Sequence, residues 1–339
     1  MAVAEFCNCL AWQKGLDPVG CAPSLQRLLA LEVAPPWPRN PLTSLPPALG
    51  SVLEQAKGLK ADLVRTPTLS NILLVATDRT APSCNHRRAL VWDRSSPQAA
   101  HFTRREYLLP DEALADFGWA VSFRPEWLPQ FEPYRVNQSH LLRDFLVCTH
   151  GTRDAACGKF GYRLYDQLKS LTAGDPHWRV WRASHLGGHV FAPTMLELPA
   201  GVFWGNLSDD TAEQVVRRRG DVSRLRLHYR GWSGAKPGFA QAAEREMLLR
   251  RGWSWLDLAR VVEVTAQDQA QPPQWAQVRI AFAEADGSQS AYTAQVEVSH
   301  YLETIDSTGQ TLARPYAQYA VRQLNREQLQ LLEESTGVV

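Results

Sequence analysis

The chain has 339 residues, of which 45% are hydrophobic and 21% are charged. A chain of this length exceeds the size at which one hydrophobic core usually keeps growing, so we expect two or three domains. The 36 basic side chains and 35 acidic ones give a formal net charge of +1. Such a balance provides no general attraction to a phosphate backbone or an anionic membrane, so we expect neither nucleic-acid nor membrane partners.

The sequence begins without a basic region ahead of an apolar stretch, and no window approaches about 18 uninterrupted apolar residues. We therefore expect a cytoplasmic location. Six cysteines in the whole chain are too few for a disulfide scaffold. In a reducing compartment, clustered cysteines are better explained by metal binding or redox chemistry.

Residues 1–140 are predicted to form an N-terminal α/β domain. "LLALEV" and "NILLVAT" are typical of buried strands, and the apolar stripe of "SLPPALGSVLEQAKGLK" predicts a helix between them. "RRALVWD" and "HFTRREYLL" follow as a strand pair. This order can be interpreted as a degenerate thioredoxin-like domain.

Residues 141–235 are predicted to repeat the same plan. The order strand, helix, strand, then a hairpin and a helix is that of a thioredoxin-like domain. In chain order, the predicted elements are the strand Phe145 to Cys148, the helix Gly158 to Leu171, the strand His177 to Ser184, the hairpin Thr194 to Gly205 and a helix capped by Ser208.

Residues 236–339 are predicted to be a small α+β extension. The segment "GFAQAAEREMLLRRG" indicates an amphipathic helix, and "LARVVEVT", "AQVRIAFAE" and "YTAQVEVSH" alternate as strands do. No recognisable chemical signature lies in this part of the sequence.

Two cysteines separated by eight residues stand where the second predicted unit has its first strand and helix. Cys148 ends the strand and Cys157 precedes the helix, so both thiols are expected at the same end of the sheet. The helix N-terminus favours a thiolate at Cys157. Backbone amides around Gly151 and Thr152 could form a nest for an anionic centre.

A pair of histidines follows in "SHLGGHVFA". His185 and His189 are four residues apart, but the two glycines between them disfavour a helix and no glutamate stands there as a base. A loop is therefore expected, in which the glycines let the backbone approach a bulky group. Taken singly, each cysteine is most simply a small buried hydrophobe and each histidine a hydrogen-bonded residue.

Three kinds of metal site remain open for two cysteines and two histidines. Structural zinc usually uses a shorter cysteine spacing. The string "CTHG" is similar to half of a Rieske signature, but Phe160 stands where the second histidine would be required. His150 is therefore expected to support the loop or the outer shell of a cluster and not to bind iron. The third kind is a [2Fe–2S] cluster on a thioredoxin-like fold.

The strings "CTHGTRDAACGKFG" and "WRASHLGGHVFAPTMLELPAGVFWGNL" closely resemble the sucrase/ferredoxin-like family, relatives of the thioredoxin-like ferredoxins. The resemblance extends more thinly from "GLDPVGCAPSLQRLLALEVAPPWPRN" to "GFAQAAEREML". It implies a [2Fe–2S] cofactor bound by Cys148, Cys157, His185 and His189, with the cysteines on one iron and the histidines on the other. Ala156, where some relatives have a further cysteine, and "FAPTM" after the second histidine are departures that remove no ligand.

This resemblance implies a one-electron carrier, not a stand-alone enzyme, with redox donor and acceptor proteins as its partners. Neutral imidazoles in place of two thiolates are expected to raise the potential and to make it pH-dependent. The alternatives are a zinc-stabilised interaction module and a thioredoxin-like thiol oxidoreductase, which lacks the usual C-x-x-C motif. Sugar hydrolysis is not indicated, since no catalytic carboxylate pair is recognisable.

The remaining cysteines and the charges near the site have simpler interpretations. Cys7 and Cys9 are most simply free thiols near a mobile terminus, with thiol exchange or a second metal as a minor alternative, and Cys21 and Cys84 look unpaired. The charged residues that flank the cysteine pair fit local charge pairing as well as they fit a role in tuning a cluster or docking a partner. These residues are Arg153, Asp154 and Lys159.

Overall fold

The computed structural model describes residues 5–58, 71–80, 85–137 and 142–327. Six α-helices lie in these residues: α1 (Cys7–Gln13), α2 (Pro47–Gly58), α3 (Leu114–Phe123), α4 (Ala155–Leu171), α5 (Asp209–Arg217) and α6 (Phe239–Arg251). The strands of the first half are β1 (Arg27–Glu32), β2 (Asn71–Ala76), β3 (His86–Arg94) and β4 (Phe102–Pro110). Those of the second half are β5 (Arg143–Cys148), β6 (Trp178–Ala183), β7 (Met195–Leu198), β8 (Val202–Trp204) and β9 (Tyr229–Trp232). The C-terminal part contains β10 (Arg260–Gln267), β11 (Trp275–Ala283), β12 (Gln289–Ile305) and β13 (Ala313–Arg326).

One mixed sheet runs through both halves in the order β4-β3-β1-β2-β6-β5-β7-β8-β9. Within the first half, β1 is parallel to β2 and antiparallel to β3, which pairs with β4. The second half repeats this arrangement, since β5 is parallel to β6 and antiparallel to β7, which pairs with β8. The halves meet where β2 pairs with β6 in antiparallel fashion at Val75 with Ala183 and Ala76 with Arg182.

The central strands are apolar on both faces because both faces are covered. In β1, Leu29 and Leu31 face a core that includes α2 and α3. Leu28 and Ala30 face the opposite way, into a core that also holds Cys148 and Cys157. The two halves therefore share a core directly beneath the cysteine pair.

A separate antiparallel sheet is formed by β10, β11, β12 and β13 in that order. Its buried Val278 and Ile280 pack in the same core as Met247 and Leu248 of α6. That core also contains Trp232 of β9, so α6 connects the small sheet to the large one. Among the described residues, no helix combines the length and the apolar character needed to span a bilayer.

The predicted α/β class with a mixed sheet is confirmed, and the C-terminal part forms the separate antiparallel sheet. The expected domain boundaries after residues 140 and 235 stay a prediction, although strands from both sides of residue 140 lie in one sheet. Cys7 and Cys9, which the sequence places near the start of the chain, both lie in α1, and Cys7 is buried. Cys84 lies outside the described residues.

Candidate metal centre

The candidate centre lies at the carboxyl ends of the parallel strands β5 and β6. Cys148, the last residue of β5, is in register with Ala183, the last residue of β6. The Thr149 N–H donates to the Ala183 carbonyl at 3.0 Å, which holds the two strand ends together. Because His185 follows Ala183 by two residues, the register brings its ring beside the Cys148 thiol.

Cys157 is the third residue of α4, whose first turn is capped by the side chain of Asp154. The Asp154 carboxylate accepts a hydrogen bond from the Ala156 N–H at 2.8 Å, as an N-cap residue should. Gly161, one turn further along the helix, permits a very close approach of α4 to the end of β5. The strand end and the helix start are thus held in direct backbone contact.

Three of the four predicted ligands come together. The Sγ atoms of Cys148 and Cys157 each lie 3.9 Å from Nδ1 of His185. All three ligand atoms lie within 4.8 Å of one another. Two thiols and an imidazole at this separation form a donor set that suits zinc or an iron–sulfur cluster.

The two buried thiols lie within 4.8 Å of each other, and this proximity separates their ionisation. The pKa of Cys148 lies well below its usual range, because the neighbouring Cys157 thiol and His185 stabilise the Cys148 thiolate. The pKa of Cys157 is raised, because a second thiolate beside Cys148 is unfavourable and because the site is buried. The helix N-terminus was expected to favour a thiolate at Cys157, but Asp154 at the same helix start adds a negative charge that opposes it.

His189, the fourth predicted ligand, lies next to this group of three. Its ring centroid is 5.1 Å from that of His185, and its side chain is buried. The Nε2 atom contacts the Ser307 hydroxyl at 3.0 Å, whereas Nδ1 is buried with no hydrogen-bond partner in the described part of the chain. Burial lowers the pKa of His189, so the neutral ring that a metal requires is favoured.

The two histidines are joined by a loop that needs its glycines. Gly187 and Gly188 have φ of +78° and +67°, a region that favours glycine. A methyl group on Gly188 would also lie 2.6 Å from Nη2 of Arg230. Arg230 is buried and donates to the Gly187 carbonyl at 3.1 Å, so it fixes the position of the loop.

His150 uses both of its ring nitrogens away from the thiols. Nε2 lies 2.9 Å from the Pro38 carbonyl, and Nδ1 accepts from the His185 N–H at 3.2 Å. The hydroxyl of Thr152 donates to the Trp37 carbonyl at 2.6 Å. The segment after β1 thereby fixes the cysteine loop, and His150 supports that loop as the sequence predicts.

Sequence reasoning missed three residues that surround the centre: Cys7, Ser307 and Thr308. The Thr308 N–H and hydroxyl donate to Asp154 at 2.9 and 2.8 Å. The Cys7 thiol lies 3.9 Å from the same carboxylate, and burial raises its pKa to about 11. No sequence signal could have found this contact, because residues 7, 154 and 308 lie in widely separated parts of the chain.

The sequence profile of the sucrase/ferredoxin-like family matches residues 18–231, more than half of the chain. The protein therefore belongs to the sucrase/ferredoxin-like family. It is also similar to the Altered inheritance of mitochondria protein 32 of Meyerozyma guilliermondii, with 28% identity over 96 residues. This alignment covers 26% of the chain and 33% of that protein, so the chain spans about a third of the relative's length. No solved structure matches the chain.

Proposed function

We propose that this protein is an electron carrier that holds one [2Fe–2S] cluster through Cys148, Cys157, His185 and His189. One observation carries the proposal. Both thiols converge on Nδ1 of His185 at 3.9 Å, while the neighbouring His189 presents a buried Nδ1 that no described group satisfies. A buried polar atom without a partner is costly, and ligation of a metal removes that cost.

The residues fit such a cofactor in their chemistry. When bound, a [2Fe–2S] cluster supplies a one-electron redox couple. Two neutral imidazoles place less negative charge on the metal than two thiolates, so these ligands favour a potential above that of an all-cysteine site. His185 is the least buried of the four ligands, so its edge of the site is the contact point we propose for the unidentified redox partners.

The repeated strand order supports a thioredoxin-like interpretation of each half. In each half a β-α-β unit is followed by a β-hairpin and a helix, and the hairpin pairs antiparallel with the first strand. We propose that the second half is a thioredoxin-like ferredoxin unit and that the first half is a degenerate copy without ligands. The cytoplasmic location remains a prediction from the sequence.

Zinc is the second candidate, and the compactness of the three-ligand group favours it. A single zinc ion binds its ligands at about 2.0–2.3 Å, so it needs all of them around one point. The group of Cys148, Cys157 and His185 is close enough for this. The protein would then be a zinc-stabilised interaction module.

Anaerobic purification with metal and sulfide analysis separates these functions. The proposal predicts a coloured protein with iron and acid-labile sulfide in equal amounts and an electron paramagnetic resonance signal after reduction. His185→Cys and His189→Cys should each retain a cluster with an altered signal and a lower potential. His177→Cys, at an exposed histidine before β6, serves as the matched control and should leave both unchanged.

Three outcomes would contradict the proposal. A colourless protein with bound zinc would favour the interaction module. A metal-free protein whose two thiols cycle between dithiol and disulfide would favour the thiol oxidoreductase. Identical spectra for both ligand variants and the unmodified protein would remove the histidines from the site.

A further inference from the structure

The loop between β12 and β13 reaches from the small sheet to the candidate metal centre. It contains residues 306–312, which lie beyond the part of the chain that matches the family profile. Ser307 and Thr308 in this loop contact His189 and Asp154, respectively. The C-terminal part of the chain therefore contributes side chains to a site whose predicted ligands all lie in the second half of the large sheet.

Ser307 distinguishes the two nitrogens of the His189 ring. Its hydroxyl lies 3.0 Å from Nε2, and a carboxylate oxygen of Asp154 lies 4.0 Å from the same nitrogen. The carboxylate can only accept, so it favours a hydrogen on Nε2, and the Ser307 hydroxyl, which can donate or accept, is placed to accept that hydrogen. The lone pair of the neutral ring is consequently on Nδ1, the buried nitrogen without a partner.

Thr308 holds the other side of the site. Its N–H and hydroxyl both donate to the Asp154 carboxylate, which caps the helix that carries Cys157. Through one carboxylate, the loop is thus connected to the cysteine helix as well as to the second histidine. Hydrogen bonds of this kind orient metal ligands in proteins.

The loop is itself held in place. Asp306 forms an ion pair with Arg314 at 2.7 Å and accepts a hydrogen bond from the Tyr316 hydroxyl at 2.5 Å. In β12, just before the loop, the Glu303 carbonyl accepts a hydrogen bond from Lys14 at 2.6 Å. The contact between Ser307 and His189 therefore joins two anchored segments.

We propose that the β12–β13 loop contributes to the metal centre. In this proposal, Ser307 positions His189 so that this histidine binds the metal through Nδ1. The proposal rests on the proposed function for the presence of a metal but not for its identity. Ser307 is a positioning residue, since it contacts a ligand and not the metal.

The first experiment compares metal release from three variants. Ser307→Ala removes the hydroxyl, Ser307→Thr keeps it, and Ser299→Ala is the matched control. Ser299 lies on β12, where its hydroxyl contacts Nδ1 of the exposed His300 at 3.0 Å. Release of iron, or of zinc if zinc is bound, is followed with a colorimetric chelator, and thermal unfolding shows whether each variant folds.

We expect Ser307→Ala to release metal about 10-fold faster than the unmodified protein, in line with the usual effect of losing a hydrogen bond to a metal-bound histidine. Ser307→Thr and Ser299→Ala should release metal at the unmodified rate. Equal rates for Ser307→Ala and Ser299→Ala would overturn the proposal. Zinc without sulfide would refute the iron–sulfur function only, because the release rates would still decide the role of Ser307. A protein that binds no metal would refute both.

The second experiment leaves the sequence unchanged. The protein is produced with histidine labelled with nitrogen-15 at either Nδ1 or Nε2, and the reduced cluster is studied by pulsed electron paramagnetic resonance. Strong nitrogen coupling should come only from the Nδ1 label, because Nδ1 of His185 also faces the thiols. Strong coupling from the Nε2 label would show that a histidine binds through the other nitrogen and would overturn the proposal.

Discussion

A methyl group placed on Gly161 would lie 1.9 Å from the carbonyl oxygen of Cys148. No side chain fits between helix α4 and the end of β5 at this point, so the distance between the two cysteine-bearing elements depends on this glycine. Gly161→Ala should therefore separate Cys148 from Cys157, lower the metal content and reduce the free energy of unfolding by about 1–3 kcal/mol or more.

Gly50→Ala is the matched control for this prediction. Gly50 also lies inside a helix, α2, but a methyl group there would meet its nearest neighbour at 3.5 Å, an ordinary contact. This variant should keep the metal and gain a few tenths of a kcal/mol up to about 1 kcal/mol. Metal analysis and urea unfolding of both variants test the prediction, and normal metal content in Gly161→Ala would contradict it.

Asp154→Ala should weaken both the protein and the proposed metal centre. The variant loses an N-cap, which costs about 1–2 kcal/mol, and it also releases Thr308 of the β12–β13 loop. Ser208→Ala at the N-cap of α5 is the control, since Ser208 caps its helix away from the centre. Asp154→Ala should lose more unfolding free energy than Ser208→Ala, because it also gives up the two hydrogen bonds from Thr308, and only Asp154→Ala should release metal faster. Similar release from both would limit Asp154 to helix capping.

Arg230→Met should disturb the loop between the two histidines. Arg230 donates to the Gly187 carbonyl and to the Cys21 sulfur and carbonyl, and these groups would lose their donor. Each such bond to a charged group contributes about 1.5–3 kcal/mol. We expect lower stability and a changed spectrum of the metal site, measured by urea unfolding and visible spectroscopy.

Arg94→Met is the control for the arginine prediction. Arg94 is equally buried and donates to the Ser233 hydroxyl, but none of its described contacts involves the histidine loop. It also lies over the ring of Phe102 at 4.2 Å. This variant should lose stability without a spectral change, and a spectral change in both would indicate a general effect of core arginines.

Glu197 makes part of the stability depend on acid pH. It is buried between Arg143 and Arg218. Burial alone would raise the pKa of Glu197, but the two cations outweigh this effect and lower the pKa from 4.5 to about 2. A lowered pKa in the folded state stabilises the fold fully above about pH 4.5. That contribution, on the order of 3 kcal/mol, is lost as the pH falls toward 2.

Glu197→Gln tests this acid dependence. The variant should be less stable at pH 7, because Arg143 and Arg218 lose their charged partner, and its stability should change less between pH 4.5 and 2. Urea unfolding at several pH values gives the comparison. Parallel curves for the two proteins across this interval would exclude Glu197 as the titrating group.

The sequence predicted much of the fold, because its strands are short apolar runs and its helices carry apolar stripes. The strand Asn71 to Thr77 and the helix that follows Ser208 are confirmed almost to the residue. The helix α3, the strand β9 and the strand β13 were missed. In β9, "YRGW" is too short for alternation to be recognised, and its burial comes from distant packing against α6.

The grouping of Cys148, Cys157 and His185 followed from strand ends that share one edge of a sheet. The position of His189 beside them depends on a glycine loop whose path is fixed by Arg230. The contacts of Ser307 and Thr308 depend on how the small sheet packs, which no local pattern encodes. Local chemistry thus indicated the candidate ligands, whereas their supporting groups required the tertiary structure.

The pairing of β2 with β6, which joins the two halves, ends at Ala183, two residues before His185. Just beyond the last β2–β6 pair, the Ser184 N–H donates to the Leu74 carbonyl at 2.8 Å, and the Ser184 hydroxyl accepts from the Leu74 N–H at 2.9 Å. On the other side, His150 and Thr152 rest on Pro38 and Trp37. A fragment of residues 142–235 would keep every candidate ligand but would lose these contacts with the first half. The first half, which carries none of the candidate ligands, therefore helps to position those of the second half.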